Sequence, residues 1–236
     1  MLAVHRIRVA IVDTGVSGNA LSRPRLCQVA PRVRGDGRVT IRSQAPRDEF
    51  GHGTICAAIV LSVAPDVELC SVSVLGKDGE ADLIDLAAAV QWCALEQIDV
   101  ASISLGTPDS AGESLRPVCE FAQERGVALV ASSPVRGRAY FPAALTGVIS
   151  VGAAALLDGQ IEYHPGQDPE FTAAGASLTV TDKKKSRTFG GGSGSSYAVP
   201  RVAGRVALVK QQLPDADLAS IRKALVAQAA APEAIP

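Results

Sequence analysis

Short apolar runs alternate with longer amphipathic stretches along this chain, a pattern that predicts strands joined by helices. Arg8 to Val12 (RVAIV) is apolar at consecutive positions, as a strand buried on both faces must be, and it stops at Asp13-Thr14-Gly15. Further strands are predicted over Glu68–Leu75, Asp99–Leu105, Val127–Ala131 and Val148–Val151. Helices are predicted over His52–Val63, Asp82–Gln97, Glu113–Arg125, Tyr197–Gln212 and Asp217–Ala230. In the second of these, Leu83, Leu86, Val90, Ala94 and Leu95 recur at helical spacing. Gly126 closes the third as a C-cap, and Pro214 separates the last two. The Arg-, Pro- and Gly-rich stretch from Asn19 to Asp48 reads as loop with one strand, Arg38–Ile41. No internal repeat or Pro- and Ser-rich linker divides the pattern. The expectation is one α/β domain over residues 1–236, with a parallel central sheet and helices on both faces.

Composition narrows the class. A chain of 236 residues can bury around 70% of its unfolded surface. With 47% apolar, 20% charged and only 4% aromatic residues, it is globular and its core must be filled by small aliphatic side chains. A net charge of −1 removes any global electrostatic case for nucleic acid or an anionic membrane as partner. The one basic run, Lys183, Lys184, Lys185 and Arg187, reads as a solvated hairpin tip. No apolar stretch reaches the roughly 18 residues of a membrane span, and the first residues do not read as a signal peptide. Cys27, Cys56, Cys70, Cys93 and Cys119 show no CxxC spacing and lie mostly in apolar stretches. They read as free thiols, which favours a reducing, cytoplasmic location.

In open parallel sheets functional groups gather at the carboxyl ends of the strands. Asp13 ends the first strand, His52 opens a helix after Gly51, and Ser196 follows Gly194-Ser195 at the start of another helix. A serine hydroxyl needs a base to accept its proton. An imidazole supplies one near neutral pH, and a carboxylate on its far nitrogen fixes the tautomer. Backbone N–H groups at the helix start can face a developing oxyanion.

Three motifs join these positions. Ile11-Val12-Asp13-Thr14-Gly15-Val16 resembles the strand-borne aspartate motif of the subtilase family, and His52-Gly53-Thr54-Ile55-Cys56-Ala57 resembles its HGTHVAG motif. The stretch from Gly194 to Gly204 (GSSYAVPRVAG) is similar to GTSMASPHVAG, and the order Asp, His, Ser is that of subtilisin. Ser73–Gly79 (SVLGKDG), Asp99–Gly106 (DVASISLG) and Val148–Ala153 (VISVGA) resemble further family segments, so the likeness runs along essentially the whole chain. It implies the three-layer subtilisin-like fold and a serine endopeptidase in which Ser196 attacks, His52 moves the proton and Asp13 orients His52. It also implies a peptide or protein substrate bound as an extended strand between Leu75–Ala81 and Ser104–Gly106, with Leu75, Gly76, Gly79, Ser104, Leu105 and Gly106 lining the cleft.

The chain departs from the family pattern in several places. Ser133, in Val130-Ala131-Ser132-Ser133-Pro134, stands where the family carries an oxyanion asparagine. The enzyme is then slow and dedicated to one substrate, or Ser132, Ser133 or a loop amide substitutes, or the protein is a silent peptide-binding module. A peptide ligase that resolves the acyl-enzyme with an amine is a further alternative. The usual calcium loop is deleted between Ile59-Val60-Leu61-Ser62 and Val63-Ala64-Pro65, so no cofactor or metal is expected. Asp36, Asp48 and Glu49 read as solvated loop charge rather than a second calcium site. No pro-domain is visible before the first strand, so the chain is expected either to fold without one or to meet a separate pro-segment or inhibitor. Cys56 reads as packing beneath His52. Tyr140 or Phe141, before Pro142, reads either as a bulky group on the floor of the primary specificity pocket or as core, and His164 is given no role. A nucleotide-binding reading has neither GxGxxG nor a P-loop behind it.

Overall fold

The computed structural model describes residues 6–21, 27–33, 39–76, 79–134, 138–182, 184 and 186–229. Its strands are β1 (Arg8–Asp13), β2 (Cys27–Val33), β3 (Val39–Ser43), β4 (Glu68–Ser73), β5 (Val100–Ile103), β6 (Ala128–Ser132), β7 (Ile149–Ala154), β8 (Ile161–Tyr163), β9 (Phe171–Ala174), β10 (Val180–Asp182) and β11 (Arg187–Phe189). Its helices are α1 (His52–Val63), α2 (Leu83–Leu95), α3 (Arg116–Glu124), α4 (Ser195–Gln212) and α5 (Leu218–Gln228). Among the described residues nine strands form one sheet in the order β3-β2-β4-β1-β5-β6-β7-β9-β8. The strands from β2 to β9 in that order are parallel, and β3 and β8 close the two edges antiparallel.

Side-chain alternation along the central strands assigns the two faces. Val9 and Ile11 of β1, Ala128 and Val130 of β6 and Ile149 and Val151 of β7 pack with α1, α4 and α5. Ala10 and Val12, Leu129 and Ala131 pack instead with α2 and α3. This is the three-layer α/β architecture, with a helical layer on each face. The same parity carries past the apolar positions: Asp13, Ser132 and Ser104 continue the series that faces α1 and α4. A residue two places after the last core position of a strand therefore arrives at the starts of those helices.

The close fit of α1 to α4 follows from small residues. A Cβ on Gly204 would sit 2.8 Å from Val63 Cβ, so only glycine lets the two helices approach this closely. Each fully buried Val, Leu or Ile in these layers contributes about 1.5–3 kcal/mol relative to exposure.

Two local expectations are corrected. The stretch from Asn19 to Asp48 holds two strands, β2 and β3, rather than one. Pro31 obscured β2; it lies beyond Cys27–Val29, the part paired with β4, where the strand has only β3 beside it. The helix over Glu113–Arg125 begins as a 3₁₀ segment, Ser110–Leu115, and becomes α-helical at Arg116, where Pro117 can occupy the first turn. The short strands β8 and β9 carried too little periodicity to be read. On either side of the basic run β10 and β11 pair antiparallel, Val180 with Phe189 and Asp182 with Arg187. Asp36, Arg38, Lys77, Asp78, Lys183 and Lys185 lie outside the described residues.

Candidate active site

Because β4, β1, β5 and β6 are adjacent and parallel, their carboxyl ends form one edge. Asp13 ends β1 in the middle of it. Leu75–Gly76 follow β4 on one side and Ser104–Gly106 follow β5 on the other, so the two segments expected to line the cleft flank Asp13. The main chain ties the first of them down: Val74 and Leu75 donate their N–H groups to Asp13 O at 2.9 and 3.3 Å. A cleft of about 660 Å³ opens beside this segment, lined among others by Thr14, Phe50, Leu75, Gly76 and Glu80.

Two glycines let α1 begin against this edge. Gly51 caps the helix with φ 96°, and Phe189 fills the space where a Cβ would be. A Cβ on Gly53 would lie 2.2 Å from Gly15 O, so a side chain there would push the helix start off β1. With both in place His52 Nδ1 stands 2.8 and 2.9 Å from the two carboxylate oxygens of Asp13. Asp13 is fully buried and also accepts from Thr14 N–H at 2.7 Å. Nδ1 must carry the proton to serve these acceptors, which leaves Nε2 as the ring's proton acceptor. Burial pulls the His52 pKa down, but the hydrogen bond and charge of Asp13, joined by the charge of Asp48, outweigh it and raise the pKa above 6.5.

Ser196 is half-buried in the first turn of α4. Cys56 Sγ spans the gap, lying 3.8 Å from His52 Nδ1 and 3.5 Å from Ser196 O. The ring of Tyr197, the next residue, packs 5.0 Å from the imidazole centroid. Among the described residues no hydrogen bond joins Ser196 Oγ to His52. The acid–imidazole contact is formed, and the hydroxyl belongs to a neighbouring turn that contacts it through Cys56 and Tyr197.

Ser132 and Ser133 part company. Ser132 Oγ is hydrogen-bonded to Ser195 Oγ at 2.8 Å, both side chains being buried. Ser133 is 1% exposed and its hydroxyl has no hydrogen-bond partner among the described residues, although its N–H donates to Val151 O. Of the other cleft residues, Ser104 is buried with its Oγ 3.6 Å from Cys56 Sγ, and Gly76 and Gly79 are exposed. Phe141 is buried core, whereas the half-buried Tyr140 lies against Gly106, its ring 2.9 Å from where a Cβ of Gly106 would be. His164 is buried and hydrogen-bonded to Thr172 Oγ1 at 3.0 Å, a structural setting away from the edge.

Asp48 is a correction: it is 2% exposed and not a solvated loop charge. Its oxygens accept hydrogen bonds from Thr14, Phe50, Gly51 and Thr54, so it has no lone pairs to offer calcium. The link from α1 to β4 is residues 64–67, in which Ala64 and Val67 are buried. Asp13, His52 and Cys56 offer ligand atoms within 4.8 Å of one another. Burial holds the Cys56 thiol well above its usual pKa, so it sits protonated beneath the acid–imidazole pair.

The residues missed from sequence are Asp48, Tyr197 and the Ser132–Ser195 pair. Asp48 left a signal, an acid shortly before a helix start with Thr54 in its first turn. The other two depend on contacts between distant segments.

Known proteins agree with this arrangement. The chain is 32% identical over 231 residues to subtilisin BL of Lederbergia lenta, covering 93% of this chain and 81% of that protein. A cold-adapted subtilisin-like serine proteinase superposes with a TM-score of 0.70 at 22% identity, covering 94% and 81% of the two chains. A lanthipeptide protease superposes with a TM-score of 0.69 at 21% identity, covering 92% and 78%. The family model described as Peptidase_S8, Subtilase family, matches residues 5–235, and with a sheet edge that sets an acid against an imidazole beside a helix-borne serine, the chain belongs to the subtilase family of serine-type peptide hydrolases.

Proposed function

We propose that this chain is a serine endopeptidase of narrow specificity that matures a peptide or protein substrate, with Asp13, His52 and Ser196 as its triad. The observation that carries this reading is the double contact of His52 Nδ1 with Asp13 at the carboxyl edge of the sheet. Ser196 Oγ attacks the scissile carbonyl as its proton passes to His52 Nε2. The acyl-enzyme forms as the proton goes on to the leaving amine, and water then releases the acid product by the same proton route. In substrate-free enzymes the serine–imidazole hydrogen bond is often long and tightens only when substrate binds.

The substrate lies as an extended strand between Leu75–Ala81 and Ser104–Gly106, so its main chain supplies affinity and a few pockets supply selectivity. The N–H groups at the start of α4 stabilise the oxyanion, and Ser133 Oγ serves as the side-chain donor. A buried hydroxyl with no partner costs about 1–3 kcal/mol, which supports a role that appears only during reaction. Its enclosure supports a slow enzyme, since neighbours must shift before an oxyanion reaches it. That the same fold serves a lanthipeptide protease supports a dedicated peptide substrate.

In this reading residues 1–236 act as one peptidase domain, need no calcium, and work in the cytoplasm, where five free thiols persist. A pro-segment or inhibitor supplied as a separate chain fits the same cleft. Incubation with a peptide library, read by mass spectrometry, tests the proposal: products gaining one water, absent with Ser196→Ala, support it. Unchanged cleavage by Ser196→Ala contradicts it.

A further inference from the structure

The carboxylate of Asp48 binds together the two segments that carry the acid and the imidazole. Its Oδ1 accepts from Thr14 Oγ1 at 3.0 Å, Phe50 N at 3.0 Å and Gly51 N at 2.7 Å. Its Oδ2 accepts from Thr54 N at 3.0 Å and Thr54 Oγ1 at 2.7 Å. Thr14 follows Asp13, and its hydroxyl oxygen accepts from Gly53 N at 3.0 Å, next to His52. Thr54 Oγ1 in turn accepts from Ser17 N at 3.0 Å, so the network runs from the end of β1 to the first turn of α1 by two routes. Gly51, the residue that caps α1, has no side chain to satisfy the helix's first N–H groups; Asp48 accepts from Thr54 N and Thr14 Oγ1 from Gly53 N instead.

The loop that carries Asp48 is itself fixed. Gln28 of β2 donates through Nε2 to Arg47 O at 3.0 Å, and its Oε1 accepts from Arg47 N at 3.1 Å and Val16 N at 3.2 Å. Five donors therefore meet one buried, rigidly held group, and only an acceptor on both oxygens suits them. An asparagine would turn its amino group against N–H and O–H donors.

We propose that Asp48 is a positioning residue of the triad: it sets the distance and angle between Asp13 and His52 by clamping Thr14 to the start of α1. This rests on the triad reading above. It also places a second negative charge near the imidazole, consistent with the upward direction of the His52 pKa. The groups facing that imidazole are Asp13 from β1, Cys56 from its own helix, Tyr197 from α4 and Asp48 from the preceding loop.

The test compares Asp48→Asn with wild type in kcat, KM, the pH profile of kcat/KM and the competent fraction from active-site titration. The expected result is a kcat lowered roughly ten- to a hundredfold per competent site, with KM within about threefold. The acid limb of the profile moves to lower pH, because a negative charge near the imidazole is gone. A purely structural role lowers the competent fraction and leaves kcat per site and the acid limb unchanged, and that outcome overturns the proposal. Should Asp48→Asn not fold, Thr14→Ala decides: it breaks the clamp, so kcat per site falls, and an unchanged kcat overturns the proposal. Full activity in Ser196→Ala would instead overturn the triad reading, which separates the two failures.

Discussion

Ser132 at the end of β6 and Ser195 at the start of α4 share a 2.8 Å hydrogen bond between their hydroxyls, 63 residues apart in sequence. The bond fixes the first turn of α4, which carries Ser196, to the end of β6, which Ser133 follows. Replacing Ser132 by alanine leaves the buried Ser195 hydroxyl without its partner, and the expected loss is about 1–3 kcal/mol of unfolding free energy. Urea titration checks it. The double variant Ser132→Ala, Ser195→Ala is expected to be less destabilised than the sum of the singles, since neither orphan then remains.

Asp13→Asn keeps the shape of the carboxyl group but offers an amide to His52 Nδ1. The imidazole then takes the wrong tautomer, and kcat is expected to fall on the order of 10⁴-fold. Burial lowers the His52 pKa and Asp13 raises it, so without the carboxylate the downward influence prevails. The acid limb of kcat/KM moves to lower pH. In the wild type the same interaction contributes stability that is complete below the unfolded pKa near 6.5 and fades as pH rises through the higher folded value.

Much of this was legible in the chain because the relevant signals are local. The apolar run of β1 ends on an acid, which places Asp13 at the carboxyl edge of the sheet. The glycines around His52 announce a helix start in close contact with something. Asp48 was misread because an acid in a polar loop looks solvated until the donors that surround it are known, and those come from Thr14 and from a helix not yet placed. For β2 the obstacle was Pro31, harmless where the strand is paired on one side only. The pairing of Ser132 with Ser195 needs the crossing of α4 over the sheet, which no local pattern encodes.

Tyr140 lies against Gly106, one of the residues expected to line the cleft, while Phe141 is core. Tyr140→Ala is therefore expected to raise kcat/KM for peptides with a large side chain before the scissile bond by roughly 10- to 100-fold. Peptides with alanine or glycine there are expected to change little. Steady-state kinetics on a matched peptide series measures both.

Cys27 is exposed, whereas Cys56, Cys70, Cys93 and Cys119 are buried. Burial raises the thiol pKa of Cys70 to about 11 and of Cys119 to about 12, which keeps them protonated and slow to react. A disulfide-exchange reagent at pH 8 is expected to find one fast thiol in the native protein and five after denaturation. Loss of the fast phase in Cys27→Ser assigns it.

Fluorophosphonate labelling of the native protein addresses the nucleophile itself. The account predicts one adduct, mapped by peptide mass spectrometry to Ser196, lost in Ser196→Ala and strongly slowed in His52→Ala. An adduct that persists in Ser196→Ala, or a wild-type protein that takes no label, contradicts it.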